Sequence, residues 1–264
     1  MALTLPFDKL LATNKKMIYE KKITVRYAET GVNGKLKPVS ILNYFQDIAS
    51  EHTSVLGVSA FDMFQKNLAW VFFRYQIQIS KYPCWNDHLR IRTWRYPVNN
   101  LYEIREYEIF DDKDNLLICS KSSWILTSIS TKKPVRLNKN LPPKLMTNKQ
   151  QIESNDLVAL SPITSHDFTR SFNIRMHDLD FNRHVNNSVY VVWALESIYQ
   201  EIIKDHRPKE IIVNYLGESL YGETITSHTQ TLKTNPSHTF LHSIISNQSQ
   251  KEITRLKTVW DCFD

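Results

Sequence analysis

The sequence predicts an α+β protein built from two tandem copies of one unit, with a continuous antiparallel sheet wrapped around two long helices. One observation is an internal repeat that begins with Val25 in the first copy and Ile174 in the second. Another is the alternation of apolar and polar side chains over long segments, which is typical of strands with one buried face. The third is the order within each copy, namely strand, loop, helix and several strands.

The repeat is continuous over the first strand, the loop and the helix. At a constant spacing of 149 residues, side chains of identical or similar type recur; the pairs are Val25 and Ile174, Arg26 and Arg175, Glu29 and Asp178, Asn33 and Asn182, Leu36 and Val185, Tyr44 and Trp193, and Asp47 and Glu196. Further along the chain the spacing is 136, as between Trp124 and Trp260. The second copy is therefore 13 residues shorter between its helix and its next strands.

The elements of the first copy follow from periodicity and from turn residues. Residues 21–28 alternate like a strand, and a helix is predicted from Pro38 to about Leu56, because proline suits the first helical turn. Four further strands are predicted at 68–80, 89–96, 102–110 and 116–129.

Residues 130–150 differ in composition from the rest of the chain. They contain six basic residues, three prolines and no acidic residue. This pattern is typical of a solvated linker, and the alternative is a docking strip for an acidic partner. We therefore divide the chain into a first unit over 1–130, a basic linker over 131–165, and a second unit over 166–264.

The loop of the second copy concentrates polar side chains just before a predicted helix. Asp178, Asp180, Asn182 and His184 lie within seven residues, and Asn186, Asn187 or Ser188 can cap the helix, whose predicted buried stripe is Val189, Val192, Trp193 and Tyr199. The N–H groups of a helix start, with acid and base side chains beside them, suit a carbonyl oxygen that becomes negative. The alternative is an ordinary turn, in which Asn and Asp are common.

Several classes of function are disfavoured by what the sequence contains. An EF-hand needs Gly and Glu at the sixth and twelfth positions counted from Asp178, where Arg183 and Val189 stand. The five glycines form no dinucleotide, P-loop or nucleophile-elbow motif, and the three cysteines are too scattered for a disulfide framework or a zinc site. With a net charge of +6, an acidic macromolecular partner is favoured, and no nucleic-acid motif is present.

No apolar run approaches the roughly 20 residues that a membrane-spanning helix needs, so no membrane span is expected. The first residues place Asp8 inside their apolar part and lack a small-residue cleavage site, so they do not resemble a signal peptide. We therefore expect a cytoplasmic protein.

The segment DLDFNRHVNN, residues 178–187, is followed by a helix with the pattern W-x-L-E-S that begins at Trp193. This combination resembles the acyl-acyl-carrier-protein thioesterases. The resemblance implies a tandem double hotdog fold and hydrolysis of the thioester of fatty acyl-acyl carrier protein, which releases free fatty acid. It further implies acyl carrier protein as the partner, no metal, no organic cofactor, and a monomer or homodimer.

The resemblance also implies the catalytic residues, which are Asp180, Asn182, His184 and Glu218. In these roles His184 and Glu218 activate water, Asn182 binds the oxyanion, and Asp180 orients the histidine or attacks directly. Direct water attack and an acyl-enzyme anhydride both stay open. Plant members usually have cysteine after the glutamate, where this chain has Ser219, so a cysteine nucleophile is excluded at that position.

Comparison of the two copies predicts which one is catalytic. At the spacing of 149, Asp180 corresponds to Gly31 and His184 to Lys35, and only Asn182 keeps its type. We therefore expect the first copy to support the fold and to form much of the acyl pocket. The alternatives are hydrolysis of acyl-CoA and a non-catalytic sensor of acyl thioesters; a hotdog hydratase fits the motif poorly.

Overall fold

The computed structural model describes residues 18–31, 33–146, 157, 159–180, 183–234 and 237–262, and within them ten strands form one antiparallel sheet. The strands of the first copy are β1 (Tyr19–Thr24), β2 (Leu68–Ile79), β3 (His88–Pro97), β4 (Tyr102–Phe110) and β5 (Leu116–Ser128). Those of the second copy are β6 (Phe168–Asn173), β7 (His206–Tyr215), β8 (Thr224–Lys233), β9 (His238–Ser246) and β10 (Glu252–Cys262).

The helices are short except for the first one. They are α1 (Pro38–Leu56), α2 (Ala60–Phe64), α3 (Leu137–Asn140), α4 (Asn187–Leu195) and α5 (Gln200–Asp205). Single 3-10 turns lie at Tyr27–Glu29, Pro143–Leu145 and Met176–Asp178.

The sheet has the same strand order when it is followed from either edge. The order is β1-β3-β4-β5-β2-β7-β10-β9-β8-β6, and the two copies join where β2 pairs with β7. Helices α1 and α4 pack against each other and share one core of apolar side chains with the inner face of the sheet. The predicted α+β fold, a tandem double hotdog, is confirmed.

The repeat extends to individual backbone hydrogen bonds in the loops. Gly31 N–H donates to Lys35 O, and Asp180 N–H donates to His184 O, both at 2.8 Å. Within each loop, one residue has a left-handed backbone conformation. It is Gly34 at φ 72° in the first copy and Arg183 at φ 63° in the second. In their described residues the two loops therefore share these backbone hydrogen bonds and differ in the side chains that they present.

Two sequence predictions are wrong in extent. The first strand ends at Thr24, not at residue 28, because the chain turns into the Tyr27–Glu29 3-10 turn, where Glu29 accepts hydrogen bonds from Arg26. The second long helix is interrupted after Leu195 and resumes as α5. At the interruption the Ser197 hydroxyl donates to Trp193 O at 2.7 Å, a local bond that competes with continued helix.

This interruption also changes the predicted buried stripe of the second helix. Trp193 is buried, but Val189 and Val192 are only half-buried, and Tyr199 is 41% exposed at the start of α5. The buried side chains of α4 are Ser188, Tyr190, Val191, Trp193 and Ala194. Trp193 and its neighbours, not Tyr199, therefore anchor the helix.

The described part of the segment predicted as a basic linker has a small core of its own. Leu137, Leu141 and Leu145 are buried against side chains that follow α1 and lie in β2 and β5. Further along, Arg74 donates to Leu157 O and Arg255 to Leu160 O, so the chain crosses β2 and β10 on its way to β6. The predicted boundaries at 130 and 165 stay predictions.

Among the helices of the described residues, none combines the length and the apolar composition that crossing a bilayer requires.

A buried histidine in the second copy predicts acid sensitivity. His242 is fully buried with a threonine hydroxyl 2.9 Å from each ring nitrogen, and burial lowers its pKa to about 3. The unfolded chain takes up this proton below about pH 6.5, so the contribution to stability is complete above that pH and is lost as the pH falls toward 3. Between pH 7 and pH 5, the free energy of unfolding measured in urea should therefore fall by roughly 2 kcal/mol more for the wild type than for His242→Gln, at ~1.4 kcal/mol per pH unit. Equal pH slopes for both proteins would contradict this reading.

Candidate active site

The loop that carries the predicted site is anchored at its start by an ion pair. Arg175 donates to Asp178 from its backbone N–H and from its guanidinium, at 2.8 Å for Nη2 to Oδ1. Burial alone would raise the pKa of Asp178, but the bonds from Arg175 outweigh it and hold that pKa below its usual range. Asp178 O then accepts the N–H of Asn186, so this pair fixes where α4 begins.

Asp180 and His184 are brought together by the turn between them. Asp180 Oδ1 accepts the backbone N–H of His184 at 3.3 Å, and Leu179 and Val185 form a bridge that closes the turn. The carboxylate of Asp180 therefore positions the histidine through its main chain. Asn182, the third predicted residue of this loop, lies outside the described residues.

Glu218 reaches His184 from the segment that follows β7. That segment pairs with the loop, since Val185 N–H donates to Ser219 O at 3.1 Å and His184 forms a bridge with Leu220. His184 Nε2 lies 3.5 Å from Glu218 Oε2, and their side chains are 33% and 58% exposed. β7 ends at Tyr215, so Glu218 is held by the contacts of this loop and not by a sheet ladder.

The start of α4 faces the same loop. Asn186, one of the three residues predicted as possible caps, caps the helix, and its side-chain oxygen accepts the N–H of Ser188 at 3.0 Å. Helix N-termini carry unpaired N–H groups and a partial positive charge. An imidazole, a carboxylate and a helix start thus lie close together on one side of the second copy.

Two tyrosines, the buried Tyr190 and the half-buried Tyr215, support this arrangement and were not predicted from the sequence. Tyr190 accepts the N–H of Ser219 at 3.2 Å, and burial raises its pKa to about 12, so it stays a neutral phenol. Tyr215 donates to Asn187 O at 2.9 Å and so fixes the first turn of α4 to β7. Both residues occur in apolar helix or strand patterns, which do not distinguish a hydrogen-bonded tyrosine from a core residue.

Ser219 points away from the pair of His184 and Glu218. Its side chain is completely buried, and its hydroxyl has no hydrogen-bond partner among the described residues. Residue 219 therefore faces the core beside Tyr190, while the preceding glutamate faces the histidine.

The loop of the first copy has the same backbone but different chemistry. Lys35 forms the bridge with Cys84 that His184 forms with Leu220. Tyr82 takes the place of the glutamate and donates its hydroxyl to Pro208 O at 2.6 Å. A lysine and an engaged tyrosine in place of the imidazole and the carboxylate agree with the prediction that this copy is not catalytic.

The cysteines lie apart from the pair. Cys84 lies between β2 and β3, where it forms a bridge with Lys35 of the first-copy loop; Cys119 is on β5, and Cys262 ends β10 with its Sγ 3.2 Å from His206 Nε2. We therefore expect a variant with all three changed to serine to keep most of its turnover with an acyl thioester. Strong inactivation of the wild type by a thiol alkylator, with the triple variant resistant, would show that a thiol takes part in the reaction.

Within the part of the chain that the structure describes, no group of three His, Cys, Asp or Glu side chains could hold a metal ion.

The sequence matches two family models, one for each copy. The acyl-ACP thioesterase N-terminal domain matches residues 16–144, and the C-terminal domain matches residues 162–262. Oleoyl-acyl carrier protein thioesterase 2 of Arabidopsis thaliana is 28% identical over 92% of this chain and 76% of its own length. An acyl-[acyl-carrier-protein] hydrolase of Cuphea viscosissima is 24% identical over 81% of this chain, which spans only 55% of that protein.

A solved structure shows the same fold. The acyl-ACP thioesterase of Bacteroides thetaiotaomicron superposes with a TM-score of 0.81 over 92% of this chain and 98% of that one, at 20% identity. The two family models together cover both copies, including the loop with the paired imidazole and carboxylate and its altered counterpart. The chain therefore belongs to the acyl-ACP thioesterase family.

Proposed function

We propose that this protein hydrolyses the thioester of fatty acyl-acyl carrier protein and releases free fatty acid, with His184 and Glu218 as its catalytic pair. Family membership assigns the reaction class, which is thioester hydrolysis. The observation that carries the choice of residues is the 3.5 Å approach of Glu218 to His184 in a loop whose counterpart has Lys35 and Tyr82. A positioned imidazole can accept the proton of water as it attacks the carbonyl.

The other predicted residues have supporting roles in this proposal. Asp180 already accepts the backbone N–H of His184, and this supports a positioning role over direct attack on the thioester. We therefore favour direct attack by water over an acyl-enzyme anhydride. The amide of Asn182 and the N–H groups at the start of α4 would stabilise the oxyanion, because donors aimed at developing charge lower the barrier most. The carrier thiolate leaves and takes up a proton from His184 or from solvent.

The two copies would have different roles in this reaction. Residues 166–264 would carry the chemistry, 1–130 would form much of the acyl pocket, and 131–165 would connect them. The tandem copies already provide the two units that a hotdog dimer contains, so a monomer or a homodimer fits. A cytoplasmic location stays a prediction.

The carrier would dock beside the basic segment that begins at Ser130. The pairing of β2 with β7 ends at Arg74 and Asn214. From this point β2 extends back to Leu68, which pairs with Ser128 of β5, and the chain of β7 continues in the same direction toward Glu218. The start of the basic segment and the catalytic glutamate therefore lie at the same end of the sheet. Its cations at positions 132, 133, 136, 139 and 144 are exposed.

Salt and charge reversal test the docking step. If acidic carrier protein is steered by these cations, kcat/KM for acyl-carrier substrate should fall with salt more steeply than for acyl-CoA of the same chain, since the Debye length is about 8 Å at physiological strength. Reversing Lys132 and Lys133 to Glu should raise KM for the carrier substrate and leave the single-turnover rate nearly unchanged.

The matched control reverses Lys81 and Lys113, which are exposed at the opposite end of the first copy, with the same change of charge. An equal rise of KM in both variants would contradict docking at this segment. Equally efficient hydrolysis of acyl-CoA and acyl-carrier substrate at low salt would contradict the carrier as the preferred substrate.

A further inference from the structure

Arg105 is a fully buried arginine on the inner face of β4 in the first copy. Its Nη1 donates to His52 Nδ1 at 3.0 Å and lies 3.2 Å from Thr93 Oγ1. Its Nη2 is also buried and has no hydrogen-bond partner among the described residues. A buried N–H group without an acceptor is strongly unfavourable, so the site lacks an acceptor that the fold does not supply.

The charges around Arg105 do not balance. Arg95 and Glu103 form a buried ion pair beside it. Burial, then the nearby Arg105 and Arg95, lower the pKa of His52 to about 3, so this histidine is neutral. The two guanidinium groups are thus opposed by one carboxylate, and the cluster of Arg105, Arg95, Glu103 and His52 carries one positive charge that is not compensated within it.

The second copy shows that the fold does not require an arginine at this place. Arg105 lies between Arg95 on β3 and Ser122 on β5. At the corresponding ladder position, between Thr231 and Thr258, the second copy has Phe240, which is 1% exposed in an apolar cluster. An apolar side chain therefore fills the same position, and the arginine is particular to the first copy.

A row of buried and half-buried aromatic rings connects the catalytic loop with Arg105. It starts at Tyr190, which accepts the N–H of Ser219, and it crosses from the second copy to the first where β7 pairs with β2. Successive ring centroids are 5.0–6.1 Å apart, and the rings are those of Tyr190, Tyr215, Phe72, Tyr75 and Tyr107. Tyr107 is two residues from Arg105 on the same face of β4, so the row leads from the catalytic loop to the guanidinium.

We propose that Arg105 recognises an acceptor oxygen at the far end of the acyl chain, so that the preferred substrates are acyl thioesters with a hydroxyl or a carboxylate at that end. This inference rests on the proposed hydrolysis of acyl-carrier thioesters. The oxygen supplies the acceptor that Nη2 lacks, and a carboxylate also balances the charge of the cluster. An unsubstituted chain would place a methyl group against a desolvated guanidinium.

The test compares carrier-bound chains of equal length that end in a methyl group, a hydroxyl or a carboxylate. The wild type should prefer one or both oxygen-bearing chains, and Arg105→Met should lower the ratio of kcat/KM for the oxygenated to the plain chain by about 10–100-fold, the worth of a hydrogen bond to a charged group. The change should appear in KM, because Arg105 is remote from the thioester. Arg105→Lys, which keeps a cation, should restore part of the preference. The hydroxyl and carboxylate substrates show which oxygen is recognised.

Phe240→Met is the matched control, because it alters the same ladder position in the other copy and should leave the ratio unchanged. A wild-type preference for the plain chain, or a ratio that Arg105→Met does not move, would overturn the inference. Calorimetric binding of the corresponding free acids gives a readout without turnover. If no thioester is hydrolysed but an oxygenated acid binds through Arg105, the proposed function fails and the recognition stands; if thioesters are hydrolysed without any preference, the recognition fails alone.

Discussion

His184→Ala is expected to lower kcat by about 10²–10⁴-fold, the usual worth of a positioned acid or base. The imidazole of His184 lies 3.5 Å from the carboxylate of Glu218, and Asp180 holds the backbone of His184. The substitution therefore removes the base that this loop positions beside Glu218. The measurement is steady-state release of free carrier thiol from an acyl-carrier substrate.

His177→Ala is the control, because His177 is an exposed histidine in the 3-10 turn that precedes the loop. Its turnover should stay close to that of the wild type. Near-normal turnover by His184→Ala, in a variant that unfolds at the wild-type temperature, would remove this residue from the mechanism.

The second large effect concerns the pair as a unit. Glu218→Gln keeps the shape of the side chain but removes its charge, and we expect kcat to fall by about 10²-fold or more. Since groups that act together do not contribute additively, the double variant with His184→Ala should lose little beyond the larger single loss. Glu201→Gln, at an exposed position of α5, is the control.

Additive losses in the double variant would mean that the two residues act in separate steps. The assignment of a catalytic pair would then be wrong even if each residue matters.

Asn182→Ala should lower kcat by about 10²–10³-fold if the amide of Asn182 donates to the oxyanion.

Much of the fold could be predicted from the sequence because its signals are local. Alternation predicted β4 with its observed ends, and Pro38 marked the start of α1. The repeat predicted two copies, and the structure shows that it holds for single backbone hydrogen bonds. The reaction class, thioester hydrolysis in the acyl-ACP family, is confirmed by the family models.

The missed features depend on contacts that no local pattern contains. Alternation shows that β4 has two faces but not which one is buried. The buried face turned out to carry Glu103 and Arg105, while Ile104 is only half-buried. The apolar pattern also does not show that the second helix ends at Leu195 and resumes as α5. The pairing of His184 with Glu218 was reached through resemblance, because 34 residues of chain separate them.

Single-turnover hydrolysis by Lys35→Ala and His184→Ala decides whether only the second copy performs chemistry. Lys35 and His184 occupy the same place in two loops with matching backbone hydrogen bonds. With enzyme in excess over acyl-carrier substrate, the rate should fall by about 10²–10⁴-fold in His184→Ala and stay near the wild-type value in Lys35→Ala. Equal loss in both variants would contradict the account, because the first copy would then be catalytic as well.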